Sequence, residues 1–232
     1  MTMDVLAQLN WTDIERQLDV DGYVVLPGLL PEDKARQLAR TIMQPEVHRV
    51  RLESCDLGRG ELCCFDNGMP APLESWRGAL YHRLLNVAHR WNDILRIDQR
   101  YPATLEAFLA HNRQAGQTRA QSHISRLASG DHVVLHQRNV GQHVFPLQLI
   151  ALLSEPQADF EGGEFVMTEQ RPRMQSRPIV LPLRLGDAAI IATAQRPIKG
   201  AKGYYPGNLR HAISRVRKGV RIGVELTLHD AA

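Results

Sequence analysis

Two histidines and two arginines in the second half of the chain have types and spacing that could do chemistry. His136 ends the strand-like run "DHVVLHQ", His211 follows 75 positions later (211 − 136) in "LRHAIS", and Arg221 comes ten residues after that in "VRIGVEL". Two strand-borne imidazoles followed by a guanidinium on the next strand can close a metal site with a dock for a carboxylate co-substrate. Iron(II) accepts imidazole ligands and needs open positions, and a guanidinium grips a carboxylate through two parallel hydrogen bonds. The plainer alternatives are that His136 and His211 are structural hydrogen-bonding residues, and that Arg221 snorkels or pairs with Asp187.

Arg138 complicates this picture. Side chains alternate along a strand, so a carboxylate two residues after His136 would share its face and complete a ligand set; Arg138 stands there instead. A guanidinium about 5 Å from a divalent ion, at an effective dielectric of about 20, is repelled by roughly 7 kcal/mol, and arginine cannot escape by losing its proton. Arg138 therefore points away from any bound metal, or His136 and His211 hold none. The candidates for completing the set are water, an exogenous anion, His123, His132, His143, Asp131 and Glu164. With Arg138 and Arg221 both inside, the cavity would prefer a small anionic molecule, and Arg138 becomes the candidate catalytic clamp on it.

The elements that must position these residues fall into two halves. "PEDKARQLARTI" from Pro31 has an acidic first turn and helical spacing; further helices are expected over about residues 73–97 and 103–112, broken at Tyr101-Pro102. "GYVVLPGLL" is a short strand between Gly22 and Gly28. After about Gln117 come eight strand-length runs separated by Gly, Asp, Pro or Asn: "SHISRLAS", "DHVVLHQ", "FPLQLIALLS", "GEFVMTE", "RPIVLPLRL", "DAAIIATA", "RHAISRVR" and "VRIGVELTLHD". This pattern predicts an α+β fold, a barrel or double-sheet jelly roll with an N-terminal helical layer, not alternating βα units. One domain over residues 1–232 is expected, with 1–116 mainly helical support and 117–232 the β core.

At 44% hydrophobic and 23% charged residues, the composition excludes disordered and fibrous classes. The opening residues lack a signal peptide's basic start and apolar core, no run is long enough to span a membrane, and a cytoplasmic location is expected. Cys55, Cys63 and Cys64 form no CxxC or zinc spacing and read as small, partly buried thiols. The net charge of +3 hides an asymmetry: Arg171 to Arg221 contains twelve Lys or Arg and only Asp187 as an acid (+11), leaving −8 elsewhere. A basic half suits an anionic substrate or nucleic acid, although few aromatics are available for base stacking; a solvated face is the bland reading.

Several strings resemble the bacterial iron(II)/2-oxoglutarate oxygenases with a prolyl-4-hydroxylase-like double-stranded β-helix, a cupin-like jelly roll. They are "AGQTR", "LHQ", "HVFPLQ", "DFEGGEF", "TEQRPRMQSR", "KGYY", "LRHAISRVRKGVR" and the terminal "HDA". The resemblance implies iron(II) on His136 and His211, 2-oxoglutarate with its distal carboxylate on Arg221, and molecular oxygen as a reactant. The chain departs from the family pattern at the ligand carboxylate (Arg138), at an expected pocket Tyr (Leu127), at an expected pocket Asn (Val133), and at an expected "YKYF"-like string, here "LCCF". Three functions follow: a divergent oxygenase that hydroxylates, desaturates or rearranges a small anionic metabolite; an inactive homologue that binds a ligand or protein; and, ranked last, a nucleic-acid-modifying oxygenase.

Overall fold

The computed structural model describes residues 5–43, 48–65, 68–171 and 173–232. Residues 1–4 of the opening segment, together with 44–47, 66–67 and 172, lie outside them. Four α-helices precede the β core: α1 (Trp11–Asp21), α2 (Glu32–Arg40), α3 (Leu73–Leu95) and α4 (Leu105–Gln114). The last three match the expected helices, while α1 falls in a stretch read only for export signals. It forms because Asn10 caps the Asp13 amide and Gly22 closes the helix in a left-handed conformation. The 23-residue α3 buries Leu73, Trp76, Leu80, Leu84, Val87 and Trp91, a stripe at spacings of three and four.

The strands are β1 (Tyr23–Leu26), β2 (His48–Arg51), β3 (Gly58–Arg59), β4 (Glu61–Cys64), β5 (His123–Ala128), β6 (His132–His136), β7 (Leu147–Leu152), β8 (Phe160–Gly162), β9 (Phe165–Gln170), β10 (Arg177–Leu181), β11 (Ala188–Ala192), β12 (Gln195–Gly200), β13 (Gly203–Ile213) and β14 (Val216–Leu226). One sheet runs β1-β11-β7-β14-β5-β4-β2, with β8 on β14; the other runs β10-β9-β13-β6-β3, with β12 on β13. Every pairing between them is antiparallel. The two sheets close over a shared interior, the double-stranded β-helix expected for the core.

Three details differ from the sequence reading. The run "RHAISRVR" is two strands, because the amides of Ser214 and Val216 turn to the carbonyls of Glu164 and Asp131 and break the ladder between β13 and β14. Strands β8 and β12 were not among the eight runs; β12 contains Pro197, which an edge strand paired only to β13 tolerates. The first 116 residues also supply β1 to one edge of the large sheet, β4 and β2 to the other, and β3 to the small sheet.

The helical layer is locked to the core by an aromatic cluster of Tyr81, Tyr101, Phe108 and Phe145, with ring centroids 5.0 to 6.1 Å apart. A side-chain knot lies beside it. The Gln117 amide donates to the carbonyls of His143 and Asp230, its oxygen accepts from the His143 amide, and Asn112 accepts from the Asp230 amide. The strings around Ala115, His143 and His229 therefore meet in space. Cys63 is buried, Cys64 half-buried and Cys55 exposed. Among the described residues, no helix is long and apolar enough to cross a membrane.

Candidate metal centre

The antiparallel ladder between two strands of the smaller sheet brings the predicted histidines together: His211 on β13 lies directly opposite His136 on β6. Their ring centroids are 4.2 Å apart, and His211 is stacked on Phe165 at 5.7 Å. His136 Nδ1 is 2.9 Å from the Val134 carbonyl, which fixes that nitrogen as the donor; its Nε2 is buried with no hydrogen-bond partner. Burial, followed by the proximity of His211, pushes the His136 pKa down to about 3, so the ring is neutral at ordinary pH. A buried, neutral imidazole with its lone pair unused is what a metal ligand requires.

The third group is one the sequence reading missed. Glu225 on β14 places Oε1 2.5 Å from His211 Nε2 and 4.0 Å from His136 Nε2. His136, His211 and Glu225 each offer an atom, all within 4.8 Å of one another. Two imidazoles and a carboxylate converging in this way suit iron(II) in its facial arrangement. A signal for Glu225 was present in the sequence. It follows Arg221 by four residues, so both side chains face inward, and it is a charge inside an otherwise buried strand end.

Arg138 also points into this interior, where it meets a partner that the sequence reading did not supply. Its Nε and Nη2 lie 2.9 and 2.6 Å from Glu225 Oε2, so the cation is neutralised by a carboxylate arriving from another strand. Burial alone would raise the Glu225 carboxyl, but Arg138, then His211 and His123, hold it well below the usual carboxylate range. His123 on β5, opposite Glu225 in the ladder, places Nε2 3.3 Å from Oε2. Burial pushes His123 down to about 4.

The other third-ligand candidates are engaged elsewhere. Asp131 accepts from the Ala128 amide and pairs with Arg59; Glu164 accepts from the Ser214 hydroxyl. His143 packs near His111, and neither His143 nor His132 joins the cluster.

Arg221 is buried on β14, and the suggested Asp187 pairing does not form: Asp187 accepts instead from the Gly28 and Arg184 amides. Arg221 makes no ion pair within 4.0 Å among the described residues, and its Nε is buried without a partner. Burial lowers its pKa to about 10, with Glu164 and Glu225 opposing the shift. Two glycines make room for it: a Cβ on Gly223 would lie 2.9 Å from Nη1, and one on Gly163 3.0 Å from Cδ. A buried guanidinium lacking a counter-ion has the chemistry to receive an incoming carboxylate. His136, Arg138, His211, Arg221 and Glu225 line one cavity of about 30 Å³, with Leu62, Val133 and Phe165 among its apolar walls. Leu127, at the expected Tyr position, is fully buried and packs where Gly60 lacks a side chain.

Comparison with known proteins agrees with this geometry. The sequence profile of the Oxygenase-NA family, described as an oxygenase catalysing oxidative methylation of damaged DNA, matches residues 60–231. An uncharacterized protein of Mycobacterium tuberculosis is 38% identical over 167 residues, covering 70% of this chain and 72% of that one. A Pseudomonas putida prolyl-4-hydroxylase superposes with a TM-score of 0.53 at 13% identity, covering 93% and 96% of the two chains. A 2OG-Fe(II) oxygenase family oxidoreductase from Burkholderia pseudomallei gives 0.51 at 15% identity, covering 97% and 93%. A Trichoplax adhaerens prolyl hydroxylase in complex with a hypoxia inducible factor peptide gives 0.55 at 12%, covering 93% and 86%. These structures share the fold.

Proposed function

Because the chain belongs to the Oxygenase-NA family, whose members are oxygenases, we propose that it is a non-haem iron enzyme holding its metal on His136, His211 and Glu225. Arg221 docks the distal carboxylate of 2-oxoglutarate. The observation that carries this reading is the buried His136 Nε2, which has no partner and faces His211 and Glu225. When bound, iron with 2-oxoglutarate supplies the oxygen-derived oxidant; the remaining work belongs to the side chains. His136 stays neutral, with its Nδ1–H held by Val134, and keeps Nε2 available. Glu225 provides the negative charge that the His-x-Asp position has lost. Arg221 sets how deep a dicarboxylate can reach, and the apolar walls exclude water around it.

For the substrate, the family description names damaged DNA, and surface charge supports that class. The tip of the β12–β13 hairpin exposes Lys199, Lys202 and Tyr204, and Arg210, Arg215 and Arg217 are exposed along the same two-strand unit and its continuation. None of these cations has an ion pair within 4.0 Å among the described residues, leaving them available to phosphates. The small anionic metabolite has narrower support, because Glu225 neutralises Arg138 and only Arg221 remains as an unpaired cation in the cavity.

Anaerobic addition of iron(II) and then 2-oxoglutarate tests the central reading. One iron per chain and a metal-to-ligand absorption band are expected; no tight iron near neutral pH overturns it. Binding to single-stranded and duplex DNA with a steep salt dependence is expected for the nucleic-acid substrate, whereas no binding at low salt leaves the small anion.

A further inference from the structure

The two oxygens of Glu225 are divided between two sets of partners. Oε2 takes both bonds from Arg138, at 2.9 and 2.6 Å, and has His123 Nε2 at 3.3 Å; Oε1 faces His211 and His136. Arg138 is itself held in place. The side-chain amide of Gln137, one residue earlier, donates to the carbonyls of Ala194 and Leu209, and His229 Nε2 donates to the carbonyl of Arg138 at 2.8 Å. The guanidinium is therefore delivered from a backbone fixed on both sides, not from a free loop.

We propose that Arg138 is a positioning residue that occupies one oxygen of Glu225, so that the carboxylate offers a metal Oε1 alone. This rests on the reading of Glu225 as a ligand. The charges have in effect changed strands: the carboxylate arrives from β14, and the cation at the expected carboxylate position on the β6 side aims it. A carboxylate free to turn would give a metal both oxygens and use up a position that an incoming co-substrate needs. A fork-shaped guanidinium prevents this, since both of its bonds converge on Oε2, and partners of this kind tune a metal through its ligands. Its positive charge remains near the ion and opposes metal binding. The clamp thus trades metal affinity for an open coordination sphere.

The test is an anaerobic titration of cobalt(II) into the full chain as wild type, Arg138→Gln, Arg138→Lys and Glu225→Gln, followed by visible absorption. In Arg138→Gln the cobalt band is expected to change in intensity and position as the second oxygen joins. Cobalt affinity is expected to stay equal or rise a few-fold because a cation has gone, and 2-oxoglutarate is expected to bind the cobalt form about tenfold or more weakly. Arg138→Lys keeps the charge but loses the fork, so its band should change without the gain in affinity; it also decides the matter if Arg138→Gln does not fold. Wild-type bands and 2-oxoglutarate affinities within twofold in both variants overturn the proposal. The underlying reading fails separately, and the proposal with it, if Glu225→Gln binds cobalt as wild type does.

Discussion

Two buried glutamates meet arginines in this fold, and their surroundings differ in one respect. Glu169 on β9 gives Oε1 to Arg171 at 2.7 Å and Oε2 to Arg196 at 3.0 and 2.6 Å, so both oxygens are closed by guanidinium. Glu225 gives one oxygen to Arg138 and leaves the other among imidazoles. The Glu169 and Arg196 side chains are 4% and 6% exposed, and those of Glu225 and Arg138 are 9% and 12%. Burial therefore does not distinguish the pairs; the partner of the second oxygen does, an imidazole at Glu225 and a guanidinium at Glu169. A carboxylate closed by guanidinium on both oxygens is a structural joint, whereas one whose second oxygen is shared only with an imidazole, opposite an unpartnered nitrogen, can take a ligand.

The contrast breaks most clearly at Glu225. Glu225→Ala should weaken iron or cobalt binding by more than the 10–100-fold typical of an outer partner, read by metal titration. Glu169→Gln should leave metal affinity within twofold of wild type. It should also lower stability by about 3–5 kcal/mol in denaturant, because buried cations lose their partner.

A smaller effect follows from pH. Burial holds His229, the residue tethering Arg138, down to about 4, against an ordinary value of 6.5. Between those values the unfolded chain is protonated at this position and the folded chain is not. The unfolded state binds more protons there, so stability falls as pH drops from about 6.5 to 4, on the order of 3 kcal/mol for this group alone. Denaturation at pH 7, 5.5 and 4.5 should show a slope at least this steep, because His123 and His136 add to it with the same sign, and His229→Gln should make it shallower without abolishing it.

The smallest effect concerns the closed pair's housing. Gly22, at φ +77°, leaves room for Arg196, and a Cβ there would fall 2.2 Å from Arg196 Cδ. Gly22→Ala should cost about 1 kcal/mol in backbone conformation, plus displacement of Arg196, without changing metal affinity.

That His136 and His211 belong together was legible in the sequence because each ends or occupies a clear strand run, and the inward place of Arg221 because of its fixed offset from His211. The jelly-roll core was legible from turn residues between short apolar runs. Glu225 was missed although its four-residue offset from Arg221 marked it, because its meeting with His211 crosses from one sheet to the other, which local pattern does not encode. For the same reason the repulsion argument at Arg138 lacked its counter-charge: it summed charges along β6, while the neutralising carboxylate lies 87 residues away (225 − 138) on β14. Strand β12 was hidden by Pro197, and α1 by being scanned only for export signals.

Strand β14 carries both Arg221 and Glu225, and it is hydrogen-bonded to β5 on one side and β7 on the other. Four residues of extended chain span about 13 Å, so the backbone itself is a ruler between the carboxylate dock and the metal ligand. Inserting or deleting one residue between them would turn one of the two side chains to the opposite face of the sheet. Substitutions within Ile222–Val224 could thus be absorbed by local repacking, but a change of length there would separate the two halves of the site at once.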